Sequence, residues 1–137
     1  AYYGMGPEEN YSDRACGARL GVFETTACAS MTPYLKPQEC GNRTGVRWLR
    51  LTDDAGHGLC VEACGEPLEI SVLPYTASEL MAARHPDELP DVGYTILDIA
   101  ACRMGVGGDD SWGAPVHAPY RIPSDKPLAL SFVLRPV

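Results

Sequence analysis

The sequence predicts an all-β fold, an antiparallel β-sandwich with one short helix. Fourteen glycines and twelve prolines are spread along 137 residues and divide the chain into short segments, which is typical of strands joined by turns. Residues 128–134 alternate between a strongly apolar face and a second face, as in a sheet packed against another layer. The apolar face comprises Leu128, Leu130, Phe132 and Leu134, and the second comprises Ala129, Ser131 and Val133. The predicted strands are residues 18–26, 44–51, 58–63, 68–73, 94–104 and 128–134.

The helix is predicted near residues 76–84. Thr76 and Glu79 have the spacing of a capping box, and Tyr75 and Leu80 occupy the positions of a hydrophobic staple around it. Leucine, methionine and alanine residues follow and favour helix, and Pro86 prevents its continuation.

Composition limits the classes of function. Eighteen acidic against eleven basic residues give a net charge of −7, which repels phosphate backbones and anionic lipid. Nucleic acid and membranes are therefore excluded as expected partners, and no apolar run approaches the ~20 residues that a membrane helix needs. The length fits one domain over residues 1–137. Because Ala1 is neither an initiator methionine nor part of a signal peptide, we expect a piece of a longer protein.

The six cysteines, at positions 16, 28, 40, 60, 64 and 102, are expected to be free thiols in a reducing cytoplasm. A more specific alternative to free thiols is a metal site formed by His57, Cys60 and Cys64. On one strand, however, the Cα atoms of Cys60 and Cys64 would lie about 13 Å apart, too far to share one zinc ion. We therefore predict no metal site.

Three stretches stand out: residues 3–14 (YGMGPEENYSDR), 41–48 (GNRTGVRW) and 104–113 (MGVGGDDSWG). The third has the glycines of a phosphate loop but lacks its Gly-Lys-Ser/Thr ending, and Asp109 and Asp110 would repel phosphate. The two aspartates could be a general acid and base, but adjacent side chains of an extended backbone point to opposite sides. We interpret them as turn residues that bond nearby backbone amides.

Trp112 is the candidate binding residue, with Gly107, Gly108, Asp109, Asp110 and Ser111 as its supporting loop. A tryptophan between a glycine-rich segment and residues 113–115 (GAP) can stand at a loop tip and present a flat apolar face and an indole donor, which suits stacking on the C–H face of a sugar. The alternative is a tryptophan that fills the core beneath its own loop.

The acidic residues of the first stretch, Glu8, Glu9 and Asp13, could supply a carboxylate pair for glycoside hydrolysis, but we interpret the stretch as structural. No histidine has a cysteine or aspartate at a spacing that suggests catalysis. For Arg43 and Arg47 we expect a strand-edge pair that bonds carboxylates of an adjoining domain.

Together and in this order, the three stretches resemble the C-terminal domain of bacterial β-galactosidases of the large, multidomain glycoside hydrolase family 2 type. Residues 3–14 are similar to the family's Tyr-Gly-x-Gly-Pro-x-Glu-Asn-Tyr-x-Asp-Arg signature, and residues 104–112 to its Met-Gly-x-Gly-Gly-Asp-Asp-Ser-Trp block. Residues 34–43 resemble its Pro-Gln-Glu-Asn-Gly-x-Arg block, with Cys40 where asparagine is frequent. The resemblance runs nearly from end to end.

The resemblance implies that this chain is the second half of a large, galactose-mutarotase-like antiparallel super-sandwich. It also implies that the whole enzyme hydrolyses terminal β-D-galactosides, such as lactose, with retention of configuration. It implies that both catalytic glutamates lie in a TIM barrel outside this chain, so the fragment alone is expected to be inactive, with no catalytic residue and no cofactor of its own. Any Mg²⁺ and Na⁺ would bind in other domains, and the whole enzyme would be a cytoplasmic homo-oligomer. Trp112 would stack on the aglycone sugar at an active-site rim shared with the remaining domains.

Two other functions are kept open. One is a stand-alone carbohydrate-binding module, and the other is a purely structural sandwich for interdomain contacts, with Trp112 buried.

Overall fold

A computed structural model of the chain describes residues 1–110 and 112–137. In this part of the chain eight strands and two short α-helices follow one another, with three 3-10 turns between them. The strands are β1 (Tyr2–Gly6), β2 (Arg19–Phe23), β3 (Arg43–Val46), β4 (Trp48–Thr52), β5 (Gly58–Ala63), β6 (Leu68–Leu73), β7 (Ile96–Ala100) and β8 (Phe132–Pro136). The helices are α1 (Ala27–Ser30) and α2 (Ala77–Ala82).

The strands form two antiparallel sheets. One has the order β2-β1-β4-β5-β8 and the other the order β3-β6-β7. Apolar side chains from both sheets meet in one buried cluster, which excludes water and holds the layers together. The prediction of an all-β antiparallel sandwich is confirmed. The cluster comprises Tyr2, Val46, Leu49, Val61, Leu68 and Ile70.

The predicted helix is confirmed, together with its cap. The Thr76 side chain accepts a hydrogen bond from the amide of Glu79 at 3.2 Å, and a Glu79 carboxylate oxygen accepts one from the amide of Thr76 at 2.7 Å. Leu80 is buried in a second apolar cluster with Cys40 and Leu73, against which Tyr75 also packs. The helix α1 was not predicted, although Thr26 caps it by accepting from the amide of Ala29 at 3.1 Å.

The prediction of one strand over residues 44–51 is wrong. The segment contains the end of β3, in the three-stranded sheet, and most of β4, in the five-stranded sheet. Gly45, with a left-handed φ of +61°, lies at an irregularity in the pairing of β3 with β6, and Arg47 then separates β3 from β4. The chain therefore changes layer here, and the apolar residues of one continuous pattern serve two sheets.

Three other boundary predictions need correction, those of β2, β7 and β8, whereas the bounds of β5 and β6 are confirmed. Strand β7 covers only the middle of the predicted residues 94–104, and β2 ends three residues before the predicted end of residues 18–26. Strand β1 was missed because glycines occupy alternate positions of YYGMG, which leaves no apolar alternation to detect.

Strand β8 begins four residues later than predicted and lies at the edge of its sheet, paired with β5. Its expected apolar face does not pack against another layer of the described chain. All four side chains of that face are more than a third exposed: Leu128, Leu130, Phe132 and Leu134. The alternation is real, but it produces an outward apolar face.

Candidate functional site: the tryptophan loop

Residues 104–114, here called the tryptophan loop, present the most exposed large apolar side chain of the described residues. Trp112 is 93% exposed. Its backbone amide donates to the Asp110 carboxylate at 2.8 Å, and the amide of Ala114 donates to the same oxygen at 3.2 Å. The interpretation of Asp110 as a turn residue is confirmed. The turn holds the backbone on both sides of the indole while the ring itself stays in solvent.

Asp13 anchors the base of the loop. Its two carboxylate oxygens accept hydrogen bonds from the amides of Val106, at 3.1 Å, and Gly107, at 2.9 Å. The amide of Gly105 donates to the carbonyl of Tyr120 at 2.8 Å. A Cβ atom on Gly105 would lie 2.4 Å from the Asp13 carboxylate, so only glycine leaves room for this contact. Bonds to an ionised acceptor are stronger than neutral ones, and two of them orient the loop.

Asp109 also has a structural partner. Its carboxylate contacts Nε2 of His117, which ties the middle of the loop to the segment that follows it. This contact, between residues eight positions apart in sequence, was not predicted. Gly107 and Gly108 both have positive φ values, which allow the turn between the Asp13 contact and Asp109. Ser111, also predicted to support the loop, lies outside the described residues.

The first stretch is structural, as predicted. The Asn10 side chain is buried, donates to the carbonyls of Met5 and Glu8, and accepts from the amide of Thr44 at 3.0 Å. The Glu9 side chain is 5% exposed and accepts from the amide of Gly41 at 2.7 Å. These bonds join the first stretch to the second and hold the segment from which Asp13 projects.

Tyrosine hydroxyls near Glu9 are held in their neutral form. Burial raises the pKa of Tyr11, and the nearby Glu9 charge raises it further. Burial also raises the pKa of Tyr34, whose hydroxyl donates to the Glu9 carboxylate. At neutral pH both hydroxyls therefore keep their protons, and that of Tyr34 donates to the Glu9 carboxylate.

A cavity of about 480 Å³ extends beside the base of the tryptophan loop, where Met104 and Val106 line it. Two fully buried polar atoms of its lining residues have no hydrogen-bond partner in the described chain, Oδ1 of Asn42 and Nε of Arg103. Arg103 also forms ion pairs with Asp98 and, at 3.7 Å, with Glu39. The charges around this cavity are thus largely paired internally.

The two arginines of the second stretch have different environments. Arg47 is exposed, donates to the carbonyl of Gly45 and lies over the ring of Tyr3 at 5.4 Å. Arg43 is buried, with only 8% of its surface exposed. Arg43 lies on β3, an edge strand of its sheet, as expected, and the contact of either arginine with a carboxylate of an adjoining domain stays a prediction.

All six cysteines are free thiols in the structure, and burial raises the pKa of the Cys40 thiol. Across residues 1–110 and 112–137, no three His, Cys, Asp or Glu side chains come together as ligands for a metal ion. Within the same residues no helix has the length and apolarity to cross a membrane.

The tryptophan loop, its Asp13 anchor and the Asn10 network bring together the first and third stretches singled out in the sequence. Residues 1–134 match the family described as "Beta galactosidase small chain". The chain belongs to this family. The match covers the whole tryptophan loop and every strand except the last two residues of β8.

Curated relatives of this family member are much longer proteins. The chain is 52% identical over 131 residues to a β-galactosidase of Halalkalibacterium halodurans, covering 96% of this chain and 13% of the relative. It is 50% identical over 136 residues to a β-galactosidase of Bifidobacterium adolescentis, covering 98% and 13%. It is 39% identical over 124 residues to a protein of Latilactobacillus sakei named β-galactosidase small subunit, covering 83% and 39%. The sequence thus matches a β-galactosidase domain that spans about an eighth of the longer relatives.

Proposed function

We propose that this chain is the C-terminal accessory domain of a glycoside hydrolase family 2 β-galactosidase. The whole enzyme hydrolyses terminal β-D-galactosides, lactose among them, with retention of configuration at the anomeric carbon. This domain binds the aglycone sugar at the rim of the active site and completes the scaffold. The catalytic carboxylates belong to another domain of the same cytoplasmic, homo-oligomeric enzyme.

The exposure of Trp112 is the observation that carries the proposal. A ring held out by an anchored loop can stack on the apolar C–H face of a pyranose, and its indole N–H can donate to a sugar hydroxyl. Stacking of this kind contributes about 1–3 kcal/mol for each ring if aromatic stacking on nucleic-acid bases is a guide. Binding energy of this size positions the leaving sugar and does not break a bond.

Carboxylates around the tryptophan loop support the assignment of chemistry elsewhere. Retaining hydrolysis needs one carboxylate as nucleophile and a second as acid and then base, about 5–5.5 Å apart and free to react. Asp13 and Asp110 instead accept backbone amides, and Asp109 contacts His117. These carboxylates hold the loop in shape.

Galactoside hydrolysis by matched proteins tests the proposal. We expect the full-length gene product to cleave a chromogenic β-galactoside and to release the β-anomer of galactose first, as read by NMR. The 137-residue chain alone should show no turnover, and the gene product without these residues should lose most activity on lactose. Turnover by the isolated chain would contradict the accessory role. Binding of galactosides by a full-length protein without hydrolytic activity would instead indicate a carbohydrate-binding module.

A further inference from the structure

A second cavity, of about 300 Å³, lies between the two sheets and away from the tryptophan loop. Its apolar walls come from both layers, with Leu49 and Leu51 on β4 and Ile70 and Val72 on β6. Hydroxyl side chains also line it: Thr25, Thr26, Ser30, Thr52 and Thr95.

Arg43 contributes a nearly buried guanidinium to this cavity. Its Nε donates to the Tyr2 hydroxyl at 3.0 Å, and its Nη1 donates to the carbonyls of Gly41, at 3.0 Å, and Asn42, at 3.2 Å. The remaining amino group, Nη2, makes no hydrogen bond to a described residue and keeps a small accessible surface. One side of the guanidinium is therefore fixed, and the other is available to the cavity.

The positive charge of Arg43 has no anionic partner in the described chain. No described carboxylate lies within 4.0 Å of it, although Arg14, Arg103 and Arg135, all more exposed, each have one. The charged side chains that share the cavity lining are Arg50 and Asp54, and neither pairs with Arg43. The Tyr2 hydroxyl is neutral, because burial raises its pKa. The Tyr2 ring, with its centroid 5.8 Å from the guanidinium carbon, offsets part of the cost of burying this charge, but a buried charge without a counter-ion remains costly.

We infer that Arg43 binds the carboxylate of an aspartate or glutamate that lies outside these 137 residues, in the remainder of the enzyme. A carboxylate neutralises the charge that neutral acceptors leave uncompensated, and its aliphatic stem fits against the apolar walls. Its second oxygen can accept from the hydroxyls that line the cavity. The inference rests on the part of the proposed function that makes this chain a domain of a longer enzyme; relatives that it covers to only 13% have ample sequence to supply the side chain.

The decisive experiment is a structure of the full-length protein. We expect an aspartate or glutamate oxygen about 2.9 Å from Nη2 of Arg43, the usual length of such a bond. A water molecule, a chloride ion, a free carboxylate from the buffer or a backbone carbonyl at that position would overturn the inference.

A double-mutant cycle on the same full-length protein tests the energetic coupling. Arg43→Gln and the amide variant of the observed carboxylate should each lower Tm, whereas the double variant should lower it by less than the sum. The reason is that one buried charge without its partner destabilises the protein more than the absence of both charges does. Additive shifts would contradict the pairing. Arg47→Gln, on the exposed arginine, is the matched control and should change Tm less than Arg43→Gln does.

If Arg43→Gln fails to fold, the structure of the unmodified enzyme still decides. Activity of the unmodified enzyme is a separate readout. An enzyme that pairs Arg43 with a carboxylate but does not cleave galactosides would refute the proposed function alone. An active enzyme without that carboxylate would refute only this inference.

Discussion

Asp13 accepts a hydrogen bond from the backbone amide of Gly107 at 2.9 Å, although 94 positions separate the two residues in sequence. The contact joins the first singled-out stretch to the tryptophan loop. It gives a residue near the start of the chain control over the presentation of a side chain near its end.

Asp13→Ala should raise KM for lactose in the full-length enzyme. The substitution leaves the amides of Val106 and Gly107 without their acceptor, so the loop samples more conformations and Trp112 meets the sugar less often. Hydrogen bonds to charged groups contribute about 1.5–3 kcal/mol, which limits the effect to about tenfold if half of it reaches binding. Steady-state kinetics on lactose measures the change.

Asp53→Ala is the matched control, since Asp53 accepts the amide of His57 at 2.9 Å in a turn between β4 and β5. Equal KM values for the two variants would argue against a positioning role for Asp13.

Leu80→Ala should destabilise the 137-residue chain strongly, and Met81→Ala should not. Leu80 is 1% exposed in the cluster with Cys40 and Leu73, whereas its neighbour Met81 is 76% exposed. A buried leucine replaced by alanine costs about 2–5 kcal/mol, and an exposed substitution about 0.5 kcal/mol or less. Urea unfolding measures both. Similar midpoints for the two variants would show that the helix does not pack as described.

Glu79 should stabilise the fold in a pH-dependent way. Its pKa lies below the ordinary value of 4.5, first because the Tyr94 hydroxyl donates to it and next because the amide and hydroxyl of Thr76 do. A carboxyl with a lowered folded pKa contributes stability that is complete above the unfolded pKa and is lost as pH falls through the folded pKa.

The measurement compares Glu79→Gln with the unmodified chain. The difference in Tm between the two proteins should be largest at pH 7 and should decrease below about pH 4.5, the pKa of Glu79 in the unfolded chain. A difference that stays constant into acid would show that the charge of Glu79 does not matter.

Local signals predicted much of the fold. The bounds of β5 and β6 and the capping box of α2 depend on neighbouring residues, and sequence patterns contain that information. The change of sheet near Gly45 could not be predicted, because the apolar pattern continues across it. The exposed face of β8 likewise has the alternation of a buried one.

The candidate site divides in the same way. The turn at Asp110 could be predicted, because an aspartate in a glycine-rich segment commonly bonds nearby backbone amides. The Asp13 anchor joins residues far apart in sequence, and the buried, carboxylate-free setting of Arg43 depends on packing between two sheets. A single sequence contains no signal for the Asp13 contact or for the burial of Arg43.

Replacement of Trp112 in the full-length enzyme shows whether the indole binds the sugar. Trp112→Ala should raise KM for lactose by about tenfold, corresponding to about 1.4 kcal/mol of lost stacking, with Trp112→Phe in between and Tm unchanged in both. An unchanged KM together with a large fall in Tm would contradict the account, because it would assign the indole to the packing of the protein and not to the sugar.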